Sequence, residues 1–235
     1  ENASTYNQSL NDWIVTNVIN MSSLFKNAVD YDSQITNWTP TSVQNMQSMF
    51  EGAVKFDQLI SSWNTASLQN TSFMFKNAFS FNRRLDWNMT GVTTMESMFE
   101  NVQHVTIAPY AGTPNLKHCI SMKNMFKGCT SFNSDIEHWN TSHVENMSSM
   151  FEHCNNFNRS LMKWNVSKVT TMNSMFKNAI NFNQHIGTWD VSKVTDFNNM
   201  FNGAILFDSE LNSWNVQRSV TTTGILLGTA AKSAF

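Results

Sequence analysis

Histidine and cysteine are the residues of this 235-residue chain that could bind a metal or act as nucleophiles. His118 precedes Cys119, and His153 precedes Cys154. Thiolate and imidazole are the ligands that Zn²⁺ prefers, but structural zinc sites space them as C-x-x-C or H-x-x-x-H. Neither spacing occurs, and the six histidines fall at unrelated positions. We therefore predict no metal site and no cofactor.

Catalytic signatures are missing from the sequence as well. No recurrent Ser/His/Asp set, carboxylate pair or phosphate-binding glycine loop is present, so we predict that the chain is not an enzyme. The formal net charge is −2 and 14% of residues are charged, which argues against a nucleic-acid partner. No apolar run approaches the roughly 20 residues of a membrane span.

A repeat of about 25 residues organises the whole chain. Tryptophans recur at 13, 38, 63, 87, 139, 164, 189 and 214, and most of the 15 Met fall into two columns at the same period. Regular recurrence of large apolar residues is typical of stacked coils in which like residues meet. We interpret the Trp, Phe and Met columns as packing, and not as a ligand-binding platform.

Each unit divides into a predicted helix and a predicted strand. In one unit the apolar residues Val144, Met147, Met150, Phe151 and Cys154 have helical spacing. Helix N-cap types recur before the first Met, at Asn20, Asn45, Asn70, Thr94, Ser121, Asn146, Thr171, Asp196 and Thr222. Gly128 and Gly203 suit helix ends.

The remaining arm of each unit, "FNQHIGTWDVS" in one copy, is predicted to form a parallel sheet with its neighbours. The expected fold is an α/β solenoid, leucine-rich-repeat-like, of about nine 25-residue coils, each with a short strand and a short helix. It spans 1–235 as a single domain, with an irregular coil at 100–119 and a degenerate last coil at 214–235.

The segment "MFKGCTSFNSDIEHWNTSHVENMSSMF", residues 125–151, resembles the 26-residue repeat of bacterial surface proteins, within the BspA-like leucine-rich-repeat group. The resemblance covers essentially the whole chain. It implies an extracellular or cell-surface protein that mediates adhesion or binds a protein or glycan partner.

The residue after the aromatic of each arm is always Asn or Asp, at 7, 32, 57, 82, 133, 158, 183 and 208. A ladder of cation ligands is conceivable, but most members are neutral Asn. We therefore favour a structural ladder in which these side chains bond to backbone.

Two candidate binding surfaces follow from the repeat. The irregular coil lacks both the Trp and the Phe-Asn pair of the other units, which indicates either a tolerated bulge or a binding loop. The candidate binding residues in this coil are His104, Pro109, Tyr110, Gly112, Pro114 and His118. Variable positions along one predicted sheet face form the second surface, namely Gln34, Leu59, Arg84, Asp135, Ser160, His185 and Glu210.

Two kinds of covalent modification are also possible. Cys129 and Cys154 hold the same small-residue position in adjacent coils, where a disulfide and two buried thiols are equally compatible. N-x-S/T glycosylation sequons occur at Asn2, Asn7, Asn37, Asn70, Asn88, Asn140, Asn158 and Asn165. The further sequons at Asn20 and Asn146 coincide with predicted N-caps.

The first coil begins in the middle of a repeat unit, with "YNQSLNDW", and has no polar capping segment. An uncapped solenoid end exposes its apolar core. Either upstream sequence or another subunit is expected to cover it. The leading function is therefore adhesion or binding, and the alternative is a structural subunit of an extracellular filament or coat, built by head-to-tail stacking.

Overall fold

The computed structural model describes residues 3–105, 116–217 and 219–231. Within these ranges it contains no helix, and the β-structure is confined to isolated bridge residues. The predicted α/β solenoid with a strand and a helix in each coil is therefore wrong. The chain is instead a stack of coils made almost entirely of turns and extended loops.

Isolated bridge residues join the stack. Among the described residues, eight parallel bridges connect successive coils, through Asn20, Asn45, Asn70, Thr94, Ser121, Asn146, Thr171, Asp196 and Thr221, and Leu85 is a further bridge residue. Apart from Leu85 and Thr221, these are the residues that the sequence marked as helix N-caps; in the final coil Thr221 takes the place predicted for Thr222. Coils joined in this way lie about 5 Å apart.

The segment predicted as a helix is a ribbon of successive turns. In the first coil the N–H groups of Met21, Ser23, Phe25 and Asn27 donate to carbonyl oxygens of the next coil, at 2.7–2.9 Å. Between them, the N–H groups of Leu24 and Lys26 donate three residues back within their own coil, and that of Ser22 donates to the Asn20 side chain. A helix needs every N–H for bonds four residues back, so a segment that donates alternate N–H groups to its neighbour cannot be helical.

Left-handed backbone every fourth residue produces this ribbon. Ser23 and Asn27 have φ of 58° and 57°, and Gly128 and Gly203, expected at helix ends, have φ of 74° and 73°. The turns still direct residues at spacings of three and four toward the core, which is why the apolar pattern imitates a helix.

The predicted N-caps form local turns. The Oδ1 of Asn20 accepts the N–H of Ser22 at 2.8 Å, and Asn146 accepts that of Ser148 at 2.9 Å. The side chain thus bonds two residues ahead, as in an Asx turn, and a bond that suits an N-cap equally suits a turn.

The interpretation of the apolar columns as core is confirmed. Phe50, Phe126 and Phe176 are fully buried, and rings of successive coils stack, with 5.5 Å between the Phe50 and Phe75 centroids. Buried Trp164 and Trp87 donate their Nε1–H to carbonyl oxygens of the preceding coil, at 2.9 and 2.8 Å. Each coil therefore supplies apolar surface and hydrogen bonds to the next.

The irregular coil keeps this core on both sides of its insertion. Val105 occupies the position of the arm aromatic, and Leu116 occupies that of Val166; both are buried. They are eleven positions apart, whereas Phe157 and Val166 of a regular coil are nine apart. Two extra residues are thus accommodated between 105 and 116. No helix among the described residues is long or apolar enough to cross a membrane.

Candidate binding groove at the irregular coil

A ladder of Asn and Asp side chains connects the arms of successive coils. The Oδ1 of Asp32 accepts the backbone N–H of Asp57 at 2.9 Å, and Asn158 accepts that of Asn183 at 3.0 Å. Equivalent bonds join the other adjacent members, apart from the step across the irregular coil. The predicted structural ladder is confirmed, and it takes the place of the sheet hydrogen bonds expected between the arms.

In the irregular coil the ladder position is occupied by Thr106 and not by Asn or Asp. Asn82 and Asn133 lie two coils apart, and the intervening ladder position falls at 106, outside the described residues. The Asn82 N–H still donates to Asp57 at 2.8 Å. Among the residues that the structure describes, however, the Asn82 side-chain amide has no hydrogen-bond partner. Its counterpart Asn158 accepts from both Asn183 and Gln184.

An open groove of about 380 Å³ lies beside this ladder position, and the described residues that line it are Asn82, His104, Val105, Ser131, Asn133 and Ser134. Their polar groups are two amides, two hydroxyls and an imidazole, and Val105 is the apolar residue. No carboxylate or amine is among these described lining groups. Such a set donates to and accepts from hydroxyl and amide groups, so the groove suits a neutral polar ligand.

Hydrogen bonds behind the groove hold its rim in place. Thr130 Oγ1 donates to Gln103 Oε1 at 2.5 Å, and Gln103 Nε2 donates to the Gly128 carbonyl at 3.4 Å. Gln103 and Thr130 immediately precede the groove residues His104 and Ser131, so the rim is preorganised in the absence of ligand.

The structure brings one residue of the predicted binding loop to the groove, His104. His118 is exposed but does not line the groove; it shares a column with His143, so the histidines are less scattered than the sequence suggested. Pro109, Tyr110, Gly112 and Pro114 lie outside the described residues. The sequence analysis did not predict the other residues that line the groove. The Phe-Asn pair, which is absent from the sequence between Asn82 and Asn133, could have indicated them.

The second predicted surface is a column but not a sheet face, because the arms form no sheet. Its members are exposed or half-exposed, namely Gln34, Leu59, Arg84, Asp135, Ser160, His185 and Glu210. Three are engaged within the chain: Arg84 pairs with Asp86 at 2.7 Å, Ser160 donates to the Glu137 carboxylate at 2.5 Å, and Asp135 accepts the Glu137 N–H at 3.1 Å.

Cys129 and Cys154 are free, buried thiols in the structure. Their Sγ atoms donate to the carbonyl oxygens of Phe99 and Phe126, at 3.0 and 2.9 Å. Burial raises the pKa of both thiols, and it raises the pKa of Cys119 to about 12. All three are therefore protonated at neutral pH, which leaves no thiolate for nucleophilic or metal chemistry.

Most predicted sequons lie on exposed turns. Asn140 and Asn165 are exposed, and each Oδ1 accepts from the N–H of the sequon serine, at 3.1 and 3.0 Å. Exposed sequons also occur at Asn7, Asn37, Asn88 and Asn158, and Asn70 is half-buried. Asn2 is outside the described residues. Within the part of the chain that the structure describes, no three His, Cys, Asp or Glu residues come together as a metal site.

A second column carries charge along the stack. It consists of Lys26, Glu51, Lys76, Glu100, Lys127, Glu152 and Lys177, which alternate in sign, and we call it the charge column. Glu152 is 9% exposed and lies 2.8 Å from Lys127 and 3.5 Å from Lys177. Burial opposes ionisation of Glu152, but hydrogen bonds from Lys127 and Ser149 and the two lysine charges leave its pKa below the ordinary value.

The stacked coils define a repeat protein with a groove at its irregular unit. The chain belongs to the family described as "Mycoplasma protein of unknown function, DUF285", which matches residues 1–109 and 120–234. No curated protein matches it by sequence.

Two solved structures show a distant likeness. One is a chain of the Drosophila Toll–Spätzle complex, 15% identical over 83% of this chain and 29% of that chain, with a TM-score of 0.33. The other is an internalin from Listeria monocytogenes, 9% identical over 84% of this chain and 63% of that chain, with a TM-score of 0.19. The match spans less than two thirds of either structure, and TM-scores this low do not establish a leucine-rich-repeat fold for this chain.

Proposed function

We propose that this chain is a non-catalytic scaffold, outside the cell or at its surface, that binds a protein or glycan partner through the groove at the irregular coil. The observation that carries the proposal is the amide of Asn82, which lines a polar groove and has no hydrogen-bond partner among the described residues. An exposed amide of this kind next to a preorganised rim can bond to a ligand.

The resemblance to BspA-like surface repeats supports the extracellular location and the adhesive role. The family itself is one of unknown function. The uncharged lining favours sugar hydroxyls or peptide amides as the recognised groups.

A binding screen with a matched pair of variants tests this proposal. Purified protein is applied to an array of neutral and acidic oligosaccharides and to immobilised serum and extracellular-matrix proteins. We expect saturable binding that Asn82→Ala combined with His104→Ala weakens at least tenfold, with the unfolding midpoint almost unchanged because no described residue bonds to the Asn82 amide.

Asn158→Ala is the control, because it removes the same amide from an intact part of the ladder. It should cost about 0.5–1.5 kcal/mol of unfolding free energy, since the exposed N–H of Asn183 exchanges its acceptor for water, and it should leave binding unchanged. Binding that survives the double variant, or no binding to any member of the panels, would overturn the proposal.

End-to-end assembly into a filament is the second candidate, and the direction of the hydrogen bonds favours it. Along the ribbon of turns, each coil donates N–H groups to the coil that follows and presents carbonyl oxygens to the coil that precedes. Two coil ends of this kind are complementary, and such head-to-tail contacts propagate. Light scattering over a concentration series, with electron microscopy of the same samples, tests it; monomers throughout would exclude it.

A further inference from the structure

Four exposed basic side chains occupy one column in successive coils: His118, His143, Lys168 and Lys193, here named the cationic stripe. Each is followed by a buried residue of the core, for example Val169 after Lys168. Their coils are joined by the parallel bridges from Ser121 to Asp196. Successive members are therefore about 5 Å apart along the stack.

The stripe differs from the charge column in its order of charges. In the charge column lysines alternate with glutamates, as in the 3.0 Å pairs of Lys26 with Glu51 and of Lys76 with Glu100. In the stripe, Lys168 and Lys193 are direct neighbours. Among the described residues, neither has a carboxylate oxygen within 4 Å. Like charges in facing positions destabilise stacked strands and turns, so stability of the fold does not account for the stripe.

Small hydroxyl side chains flank the stripe. Ser167 and Ser192 precede the two lysines, and Thr170 and Thr195 follow two residues after them. The nearest acidic residues along the chain are Glu145, two residues after His143, and Asp190 and Asp196, each three residues from Lys193. Both aspartates accept a backbone N–H two residues ahead, Asp190 that of Ser192 at 3.1 Å and Asp196 that of Asn198 at 3.0 Å.

We propose that the cationic stripe binds a linear anionic polysaccharide, with sulfate or carboxylate groups placed against successive coils. Two lysine cations at the coil spacing, continued by two histidines in the same column, match a polymer that carries charge along its length, and the flanking hydroxyls can bond to sugar hydroxyls. Single-stranded nucleic acid is less suited, because it binds on exposed aromatic side chains. The large exposed aromatics of the described residues, Trp13 and Phe79, lie in other coils.

Binding of the full chain to dextran sulfate, with unsulfated dextran as the neutral control, tests the stripe. We expect salt-sensitive binding to dextran sulfate alone, weakened at least tenfold by Lys168→Gln with Lys193→Gln. The control Lys163→Gln changes a lysine outside the stripe, paired with Glu137 at 3.4 Å, and should leave binding within twofold. Equal losses in both variants, or no binding of the wild-type chain, would overturn the proposal.

Lys168→Glu separates binding from stability. It places a carboxylate beside Lys193 and so creates the alternation of the charge column, which should raise the unfolding midpoint by about 1–2 °C while dextran sulfate binding falls at least tenfold. A lower midpoint together with weaker binding would show that Lys168 acts structurally and would contradict the proposal.

Two further comparisons define the ligand class and the site. Oligothymidylate that binds as tightly as dextran sulfate at equal charge would overturn the polysaccharide assignment. The groove variant with Asn82→Ala and His104→Ala should bind dextran sulfate like the wild type. The proposals for the cationic stripe and for the groove are therefore tested independently.

Discussion

Each coil has two residues with left-handed backbone, four positions apart in the ribbon of turns. In the described coils the second of them is Asn or Gly, except for His153 with φ of 62°. Gly128 has φ of 74°, and a Cβ added there would collide with Oδ1 of Asn101 in the preceding coil. The Asn101 amide is itself held, because its Nδ2 donates to Asn77 Oδ1 at 2.8 Å. Glycine is thus required at Gly128 both by backbone angle and by a close approach.

Gly128→Ala is accordingly expected to lower the free energy of unfolding by about 2–4 kcal/mol, from the left-handed backbone and from displacement of the Asn101 amide. Gly228→Ala is the matched control. Gly228 has φ of 77°, but the nearest atom to an added Cβ is 3.7 Å away, so we expect only the backbone cost of about 1–2 kcal/mol. Urea unfolding followed by tryptophan fluorescence measures both, and equal losses would refute the role of the contact.

At the scale of the element, columns of equivalent residues bond each coil to its neighbours. In other solenoids β-sheets form these contacts between coils. The Asn/Asp ladder bonds the arms of successive coils through side chains. The bridges and the ribbon of turns form backbone hydrogen bonds between coils. The charge column adds ion pairs between its alternating lysines and glutamates. Glu152 contributes most visibly to the last of these, since it lies between Lys127 and Lys177.

The pH dependence of stability tests the contribution of Glu152. Its pKa in the folded chain lies below the ordinary 4.5, so the folded state favours the carboxylate. This stabilisation is fully present above the unfolded pKa and is lost as the pH falls through the folded one. We expect Glu152→Gln to cost about 1 kcal/mol at pH 7, because the partner lysines are partly exposed.

The difference between wild type and Glu152→Gln should stay constant from pH 7 to about pH 5 and shrink below about pH 4.5, where the wild-type carboxylate becomes protonated. Thermal unfolding of both proteins across this range measures it. A difference that persists unchanged at pH 3 would mean that the variant loses packing and not an ion pair.

For the molecule as a whole, each coil is bonded to the coils next to it, so a complete coil is the natural unit of insertion and deletion. Residues 157–181 form one such coil, between coils that carry the same columns. Deleting them would bring Asn133 and Asn183 into adjacent ladder positions without disturbing the register.

Deletion of 157–181 should therefore give a folded chain whose unfolding midpoint falls by only a few degrees, as expected for the loss of one interface in a linear stack. Deletion of 157–168 removes about half as many residues but shifts every later column out of register, and it should abolish cooperative unfolding. Tryptophan fluorescence and urea titration distinguish the two, and the opposite order of stabilities would contradict the picture of interchangeable coils.

Much of this organisation could be read from the residues. The 25-residue period, the buried Trp, Met and Phe columns and the Asn/Asp ladder all follow from side chains that recur at one place in each coil. The repeat period predicts which residues are in contact, because stacking places position i next to position i+25. This holds for any backbone conformation between the two positions. The groove could have been predicted for the same reason, since the Phe-Asn pair of the other coils is absent from the sequence at this coil.

The conformation between the columns was decided by the tertiary structure alone. Apolar spacing of three and four residues describes a helix and a ribbon of turns equally well, and Asn accepts an N–H two residues ahead in both. The choice depends on whether alternate N–H groups, such as those of Met21 and Ser23, find acceptors in the same coil or in the next one. Those acceptors exist only once the coils are stacked, so local propensity could not reveal them.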